Sequence, residues 1–240
     1  MGKTPYAARF GGYTDIDGTV VFYARIRSLL GAHDTVLDVG CGRGQFQDDE
    51  VAMRRNLRDL RLAGAHVIGI DVDPEAAANP FMDEFHLLNG PRWPMVDETA
   101  DLAYADCVLE HVDDPDAFFA EAQRVLKPGG ILCLRTTNVL SYVGLFASLV
   151  PNRRHARVAS AVQAKRKVED VFPTRYRCNT VFRLRKALRT HGFEAVAYGY
   201  EAEPAYLSFS VVAYALGVVH QKFAPSLIKP ALFAFARKPA

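Results

Sequence analysis

The chain has 240 residues, 50% of them hydrophobic and 23% charged, with a formal net charge of +2. That length supports one large domain with a substantial core, or one domain plus a lid, and the charge argues against a general polyanion binder. Four cysteines, Cys41, Cys107, Cys133 and Cys178, lie far apart without zinc-ligand spacing, as expected of a reduced, cytoplasmic protein with no metal site.

Residues 1–18 are rich in Gly, Tyr and Asp, show no period, and lack the apolar core of a signal peptide. Residues 19–30 carry a helical stripe of Val21, Phe22, Ile26, Leu29 and Leu30, ended by Gly31. Residues 35–46, TVLDVGCGRGQF, are the centre of the chain. A short apolar run breaks into Gly40, Gly42 and Gly44, the pattern of a buried parallel strand turning tightly into a helix. Asp38 is a carboxylate inside that run, and such a charge is costly unless paired or hydrogen-bonded.

Residues 45–62 are predicted as one helix, with Val51, Leu57 and Leu60 toward a sheet and Arg54, Arg55, Arg58 and Arg61 in water. A second buried strand, 66–73, ends in acid. Asp73-Pro74-Glu75 then opens a short helix with Asp as N-cap and Pro at its first position. Residues 84–88 read as a third strand, 89–94 as loop, 101–106 as a fourth strand and 114–126 as an amphipathic helix. Lys127-Pro128-Gly129-Gly130 is expected to stop the chain before a fifth strand at 131–135. Residues 138–150 are predicted helical, 180–191 helical with a cap at Asn179 or Thr180, and 193–200 and 232–237 as strands. The span 152–189 carries twelve Lys/Arg against Glu169 and Asp170.

Strands alternating with helices at this spacing predict a parallel sheet covered on both faces, with a ligand at the carboxyl ends of the strands. Asp38, Asp71, Asn89 and Asp106 all fall at such ends. An acid ending the second strand, Asp71, suits ribose hydroxyls, since both can donate to one carboxylate. The glycine spacing is GxGxG, unlike the GxGxxG of dinucleotide binders, which disfavours NAD-linked redox. No GK[ST] follows, which excludes a P-loop.

VLDVGCGRG, VIGIDVD, ADLAYADCVLEHV and RVLKPGG, in this order across residues 33–137, resemble a class I S-adenosylmethionine-dependent methyltransferase of the small-molecule branch. The C-terminal half, with FPTRYRCNT, is similar to methyltransferases of polysaccharide and cell-envelope biosynthesis. The resemblance implies an α/β fold: a Rossmann-like, mostly parallel seven-stranded sheet with helices on both faces, an N-terminal arm and a C-terminal helical lid. It implies one domain over 1–240, with an arm and helix at 1–32, a cofactor core at 33–137, and acceptor-site lid segments at 138–192 and 201–229.

It further implies S-adenosylmethionine as cofactor. Asp38 and the backbone of Gly40, Cys41, Gly42 and Gly44 would hold its methionine end, Asp71 its ribose, and Val72 its adenine. Asn89, followed by Gly90, stands where the family often has an Asp on the adenine amine, and Ala105 and Asp106 would line the sulfonium pocket. The chemistry needs an acceptor aligned with the methyl and, for a hydroxyl, a base. An imidazole titrates near neutrality, so His111 is the candidate base, with Glu110 beside it to orient it or serve instead.

Plainer roles compete. His111 could simply pack the loop, Trp93 could be core or pocket wall, and Asp15 and Asp17 could form a solvated turn or help close the site. The basic stretch at 153–189 is a solvated face or a surface for a phosphate-bearing or lipid-linked acceptor; its aromatics are too sparse for RNA, and no nucleic-acid partner is expected. The apolar stretch at 205–223 is a buried lid helix or a peripheral membrane contact at the inner face of the membrane. The expected activity is methyl transfer to a hydroxyl of a saccharide or envelope precursor. The alternative is a catalytically inactive binding module, or an RNA-binding partner subunit.

Overall fold

The apolar runs become the strands of one seven-stranded sheet in the order β3-β2-β1-β4-β5-β7-β6. The computed structural model describes residues 12–149 and 173–240, without the side chains of 146–149. The strands are β1 (Thr35–Val39), β2 (His66–Asp71), β3 (Glu84–Leu87), β4 (Ala100–Asp106), β5 (Leu126–Thr137), β6 (Glu194–Tyr200) and β7 (Ala231–Arg237). Strands β1 to β5 pair in parallel, and β7 runs antiparallel to both β5 and β6. The helices are α1 (Gly18–Leu29), α2 (Ala52–Arg58), α3 (Pro115–Val125), α4 (Tyr142–Leu149), α5 (Val181–Thr190) and α6 (Val211–Phe223).

Side chains alternate across each strand, so two cores form. Leu37, Val39, Ile68, Ile70, Ala103, Ala105, Leu132 and Leu134 pack against Phe118, Phe119 and Ala122 of α3 and Leu184 and Leu188 of α5. Val36, Val67, Leu102, Tyr104 and Cys133 point the other way, onto Phe22, Tyr23 and Ile26 of α1 and onto Leu60. Burying a side chain as completely as Phe22 or Ile26 contributes about 1.5–3 kcal/mol. Within the expected α1 stripe, Tyr23 replaces Leu29, which is exposed. Asp17 caps the helix, its Oδ1 accepting from the amides of Thr19 and Val20, and it also pairs with Arg54. Its role is thus at the helix start.

Two expectations about elements change. Residues 45–62 are a 3₁₀ turn (Gln45–Asp48), α2, and a second 3₁₀ turn (Leu60–Ala63), rather than one helix. Asp49 breaks the first junction: its backbone is extended, its Oδ1 accepts from the Val51 amide, and its carboxylate grips Arg54 bidentately. Aspartate competes with helix in this way through local side-chain bonds. Lys127-Pro128-Gly129-Gly130 does not end before β5 but lies inside it, as a register shift opposite Ala100–Leu102. Gly129, with φ of 79°, donates to Lys238 O, and the Lys238 amide returns a bond to Gly130 O, so glycine permits a bulge there.

Candidate functional site

The strand period sets the site. Asp38, Asp71, Asp106 and Arg135 stand at the carboxyl ends of β1, β2, β4 and β5, all on the side that faces α1 and α2. A cavity of about 700 Å³ opens above this row.

Asp38 is 9% exposed. Burial pushes its carboxyl up to about 7; the Tyr104 hydroxyl bonded to it and the Arg58 charge pull it down, while Asp106 and Asp71 push it further up. An acid poised this way accepts a cation readily, because a positive group restores the ionised form. Asp71 is 8% exposed and accepts from the Gly42 amide on Oδ2 at 2.8 Å and from the Asp73 amide on Oδ1 at 2.9 Å. Each oxygen keeps a lone pair for a further donor. Asp106 is paired with Arg135 at 2.5 Å and accepts from Tyr23 Oη at 3.0 Å. Burial alone would raise the Asp106 carboxyl, but the Arg135 guanidinium overrides it and holds the group below the usual carboxylate range.

The glycine loop leaves room for a ligand. At Gly40, φ is 71° and a Cβ would sit 2.5 Å from Val108 Cγ2, so no other residue fits the turn. At Gly42, φ is 58° and a Cβ would meet nothing within 4 Å; the space over it is open cavity. A cradle of exposed backbone with acids at Asp38 and Asp71 matches a ligand that carries an ammonium and vicinal hydroxyls.

Of the residues singled out from sequence, Asp38, Gly40, Cys41, Gly42, Gly44, Asp71, Val72, Asp106 and His111 line this cavity. Four do not. Ala105 points to the opposite face of β4 and is buried among the α3-side core, one residue out of phase with Tyr104 and Asp106. Asn89 and Gly90 are exposed: β3 ends at Leu87, the Leu88 amide bonds Asp71 O, and the chain turns outward at Gly90 with φ of 97°. Leu88 takes their place on the wall.

Glu110 is also turned away. It is buried and accepts from Thr136 Oγ1 at 2.6 Å, while Asn179 Nδ2 donates to that same Thr136 oxygen at 2.7 Å. Its backbone carbonyl accepts from the amides of Arg175 and Tyr176. Burial raises its carboxyl, with the Thr136 bond opposing. Glu110 therefore ties the 173–180 segment to β5 and the turn after β4. His111 follows on the cavity side, with Nδ1 3.1 Å from Pro173 O. A carbonyl only accepts, so Nδ1 carries a proton in this contact.

Trp93 is buried, packs edge-on to Phe118 at 5.3 Å and reaches the cavity wall. Sequence reasoning missed Tyr23, Phe46, Arg58 and Arg135, which also line the cavity. Arg135 had a signal, as a charge in phase with Cys133 at a strand end; the others reach the site only through tertiary packing. Residues 1–11, and 153–172 of the basic stretch, lie outside the described residues. Among those described, no group of His, Cys, Asp and Glu is arranged to hold a metal ion.

A family model described as a methyltransferase domain matches residues 37–134. The chain is 32% identical over 129 residues to a probable S-adenosylmethionine-dependent methyltransferase of Mycolicibacterium smegmatis, covering 51% of this chain and 45% of that protein. It is 34% identical over 110 residues to a ubiquinone biosynthesis O-methyltransferase of Rhodopseudomonas palustris, covering 43% and 40%. The chain thus spans about half or less of the length of these relatives. Among solved structures, geranyl diphosphate C-methyltransferase from Streptomyces coelicolor, in complex with Mg2+, geranyl diphosphate and S-adenosyl-L-homocysteine, superimposes with a TM-score of 0.52, covering 90% of this chain and 79% of that one. At 16% identity that likeness concerns the fold alone.

Proposed function

We propose that the chain, whose residues 37–134 match a methyltransferase-domain model, is a class I S-adenosylmethionine-dependent methyltransferase that methylates a hydroxyl of a small-molecule acceptor, a saccharide or cell-envelope precursor. The observation that carries a hydroxyl acceptor is His111. Its Nδ1–H donates to Pro173 O, and its ring stands on the wall of the cavity, where an imidazole suits the removal of a hydroxyl proton. The O-methyltransferase among the relatives supports the same choice of nucleophile.

The bound cofactor supplies an activated methyl group on sulfur. In this reading Asp38 takes the ammonium of its methionine end, and the Gly40–Gly42 backbone lets that end approach. Asp71 takes ribose hydroxyls on lone pairs that Gly42 and Asp73 leave open. Val72 and Leu88 pack against the base. His111 removes the acceptor proton, a role worth about 10²–10⁴-fold in rate. The described residues 138–149, 173–192 and 201–229 form the acceptor side. There Glu201 joins the first of these stretches to the last, accepting from Tyr142 Oη at 3.1 Å and pairing with His220 Nδ1 at 2.7 Å. A screen of sugars and lipid-linked precursors with methyl-labelled cofactor tests the acceptor class. Label appearing only on carbon or amine acceptors would overturn it.

We also propose that the acceptor is lipid-linked, met at a membrane surface by the outer face of α6. Phe209 and Phe223 are 72% and 80% exposed, and Val212, Leu216 and Val219 lie exposed between them. Residues 204–240 contain no Asp or Glu, while Lys222 and Lys229 flank the apolar face, a charge pattern suited to anionic headgroups. Among the described residues no helix is long and apolar enough to cross a membrane.

A further inference from the structure

Arg58 ends α2, and its guanidinium lies between two rings, 5.6 Å from the Tyr23 centroid and 5.3 Å from that of Phe46. Its Nε is buried and has no hydrogen-bond partner. The other guanidiniums on the cavity wall are matched: Arg43 by Asp73, Arg135 by Asp106 and Arg175 by Asp113. Arg58 forms no ion pair among the described residues. A guanidinium is always charged and presents five donors in a rigid fork, so one that lines a cavity without an ion-pair partner suits an anionic ligand group.

The position narrows which anion. Arg58 is close enough to Asp38 and Asp106 for its charge to act on both carboxyls. Those acids would repel an anion at the sheet edge, whereas Arg58 sits above them on the helix side. An α-amino acid needs one anionic and one cationic partner, and Asp38 and Arg58 supply one of each on the wall of the same cavity. The two rings fix the plane of the fork, so little rotamer freedom remains to lose on binding.

We propose that Arg58 binds the carboxylate of the cofactor's amino-acid end, opposite Asp38 on its ammonium. This rests on the cofactor placement given above. Arg58 is then a binding residue that fixes where the methyl group points.

The test is calorimetric. Wild-type protein, Arg58→Met and Arg58→Lys are each titrated with S-adenosylhomocysteine and with S-adenosyl-3-thiopropylamine, which keeps the ammonium and lacks the carboxylate. Wild type should bind the first about 10- to 100-fold more tightly, the range of a charge-assisted hydrogen bond. In Arg58→Met that preference should vanish through loss of affinity for the first ligand only, and Arg58→Lys should restore part of it. Equal weakening of both ligands in Arg58→Met would make Arg58 a structural residue and overturn the proposal, as would unchanged affinity for S-adenosylhomocysteine. Wild type that binds neither ligand would instead overturn the cofactor placement, and this proposal with it.

Discussion

The Gly42 amide donates to Asp71 Oδ2 across 2.8 Å, so the glycine loop after β1 and the acid ending β2 hold each other in place before any ligand arrives. Two residues that sequence marks as separate contacts on one ligand are in fact one preorganised unit. Changes at either should therefore disturb both.

Asp38 should make cofactor binding pH-dependent. Burial holds its folded carboxyl near 7, well above an unfolded aspartate, so the folded state binds the extra proton between about pH 4 and 7. Its contribution to stability is full below that window and is lost as pH rises through it. A ligand ammonium favours the ionised form, so affinity should rise toward pH 8 by up to about tenfold per unit below the folded value. Titration calorimetry in buffers of different ionisation enthalpy should detect proton release. Asp38→Asn should raise the melting temperature of the free protein at pH 8 and weaken cofactor binding. Affinity that is flat from pH 5 to 8 would contradict this role.

Asp106 should behave in the opposite sense. Arg135 keeps its carboxyl depressed, so the pair stabilises at neutral pH and that contribution fades as pH falls below the carboxylate range. Asp106→Ala leaves the mostly buried Arg135 charge without its partner and should cost about 3–5 kcal/mol in urea denaturation. A loss below about 1 kcal/mol would show that water reaches Arg135 freely.

His111 and Glu110, adjacent in sequence, should separate by experiment. His111→Gln should lower turnover about 10²–10⁴-fold with cofactor affinity kept. Glu110→Ala should instead lower stability, by about 1–3 kcal/mol, because the Thr136 hydroxyl, which itself accepts from Asn179, loses the acceptor that orders it. Near-normal turnover in His111→Gln would mean that alignment alone suffices and no base acts there.

The face of α6 can be tested with vesicles. The chain should sediment with vesicles rich in anionic phosphatidylglycerol and less with neutral ones, and Phe209→Ser with Phe223→Ser should abolish this without changing cofactor affinity. Failure to bind any vesicle would contradict a membrane contact at this face.

Much of the cavity wall was legible in the sequence because strand alternation and glycine conformation are local properties. Asp38, Gly40, Gly42 and Asp71 fall where a period of two and a positive φ demand. Ala105 departs from the expected pocket because that same period sends it to the α3 side while Asp106 faces α1. Asn89 and Gly90 were placed on the wall, but the chain leaves β3 two residues earlier. Arg58 looked like its solvated neighbours on α2, since nothing in the sequence says that Tyr23 of α1 and Phe46 of the preceding turn close around it. Glu110 beside His111 suggested a catalytic pair; only the fold reveals that Thr136, at the end of a strand 26 residues on, claims its carboxylate.

In the proposed function this cavity holds S-adenosylmethionine with Asp71 on its ribose. Calorimetric titration of the wild type and of Asp71→Ala with S-adenosylmethionine tests it most directly. The wild type should bind one equivalent per chain, and Asp71→Ala should bind about 10- to 100-fold more weakly, at about 1.4 kcal/mol per factor of ten. Equal affinity in the two proteins would contradict the placement of the cofactor in this site.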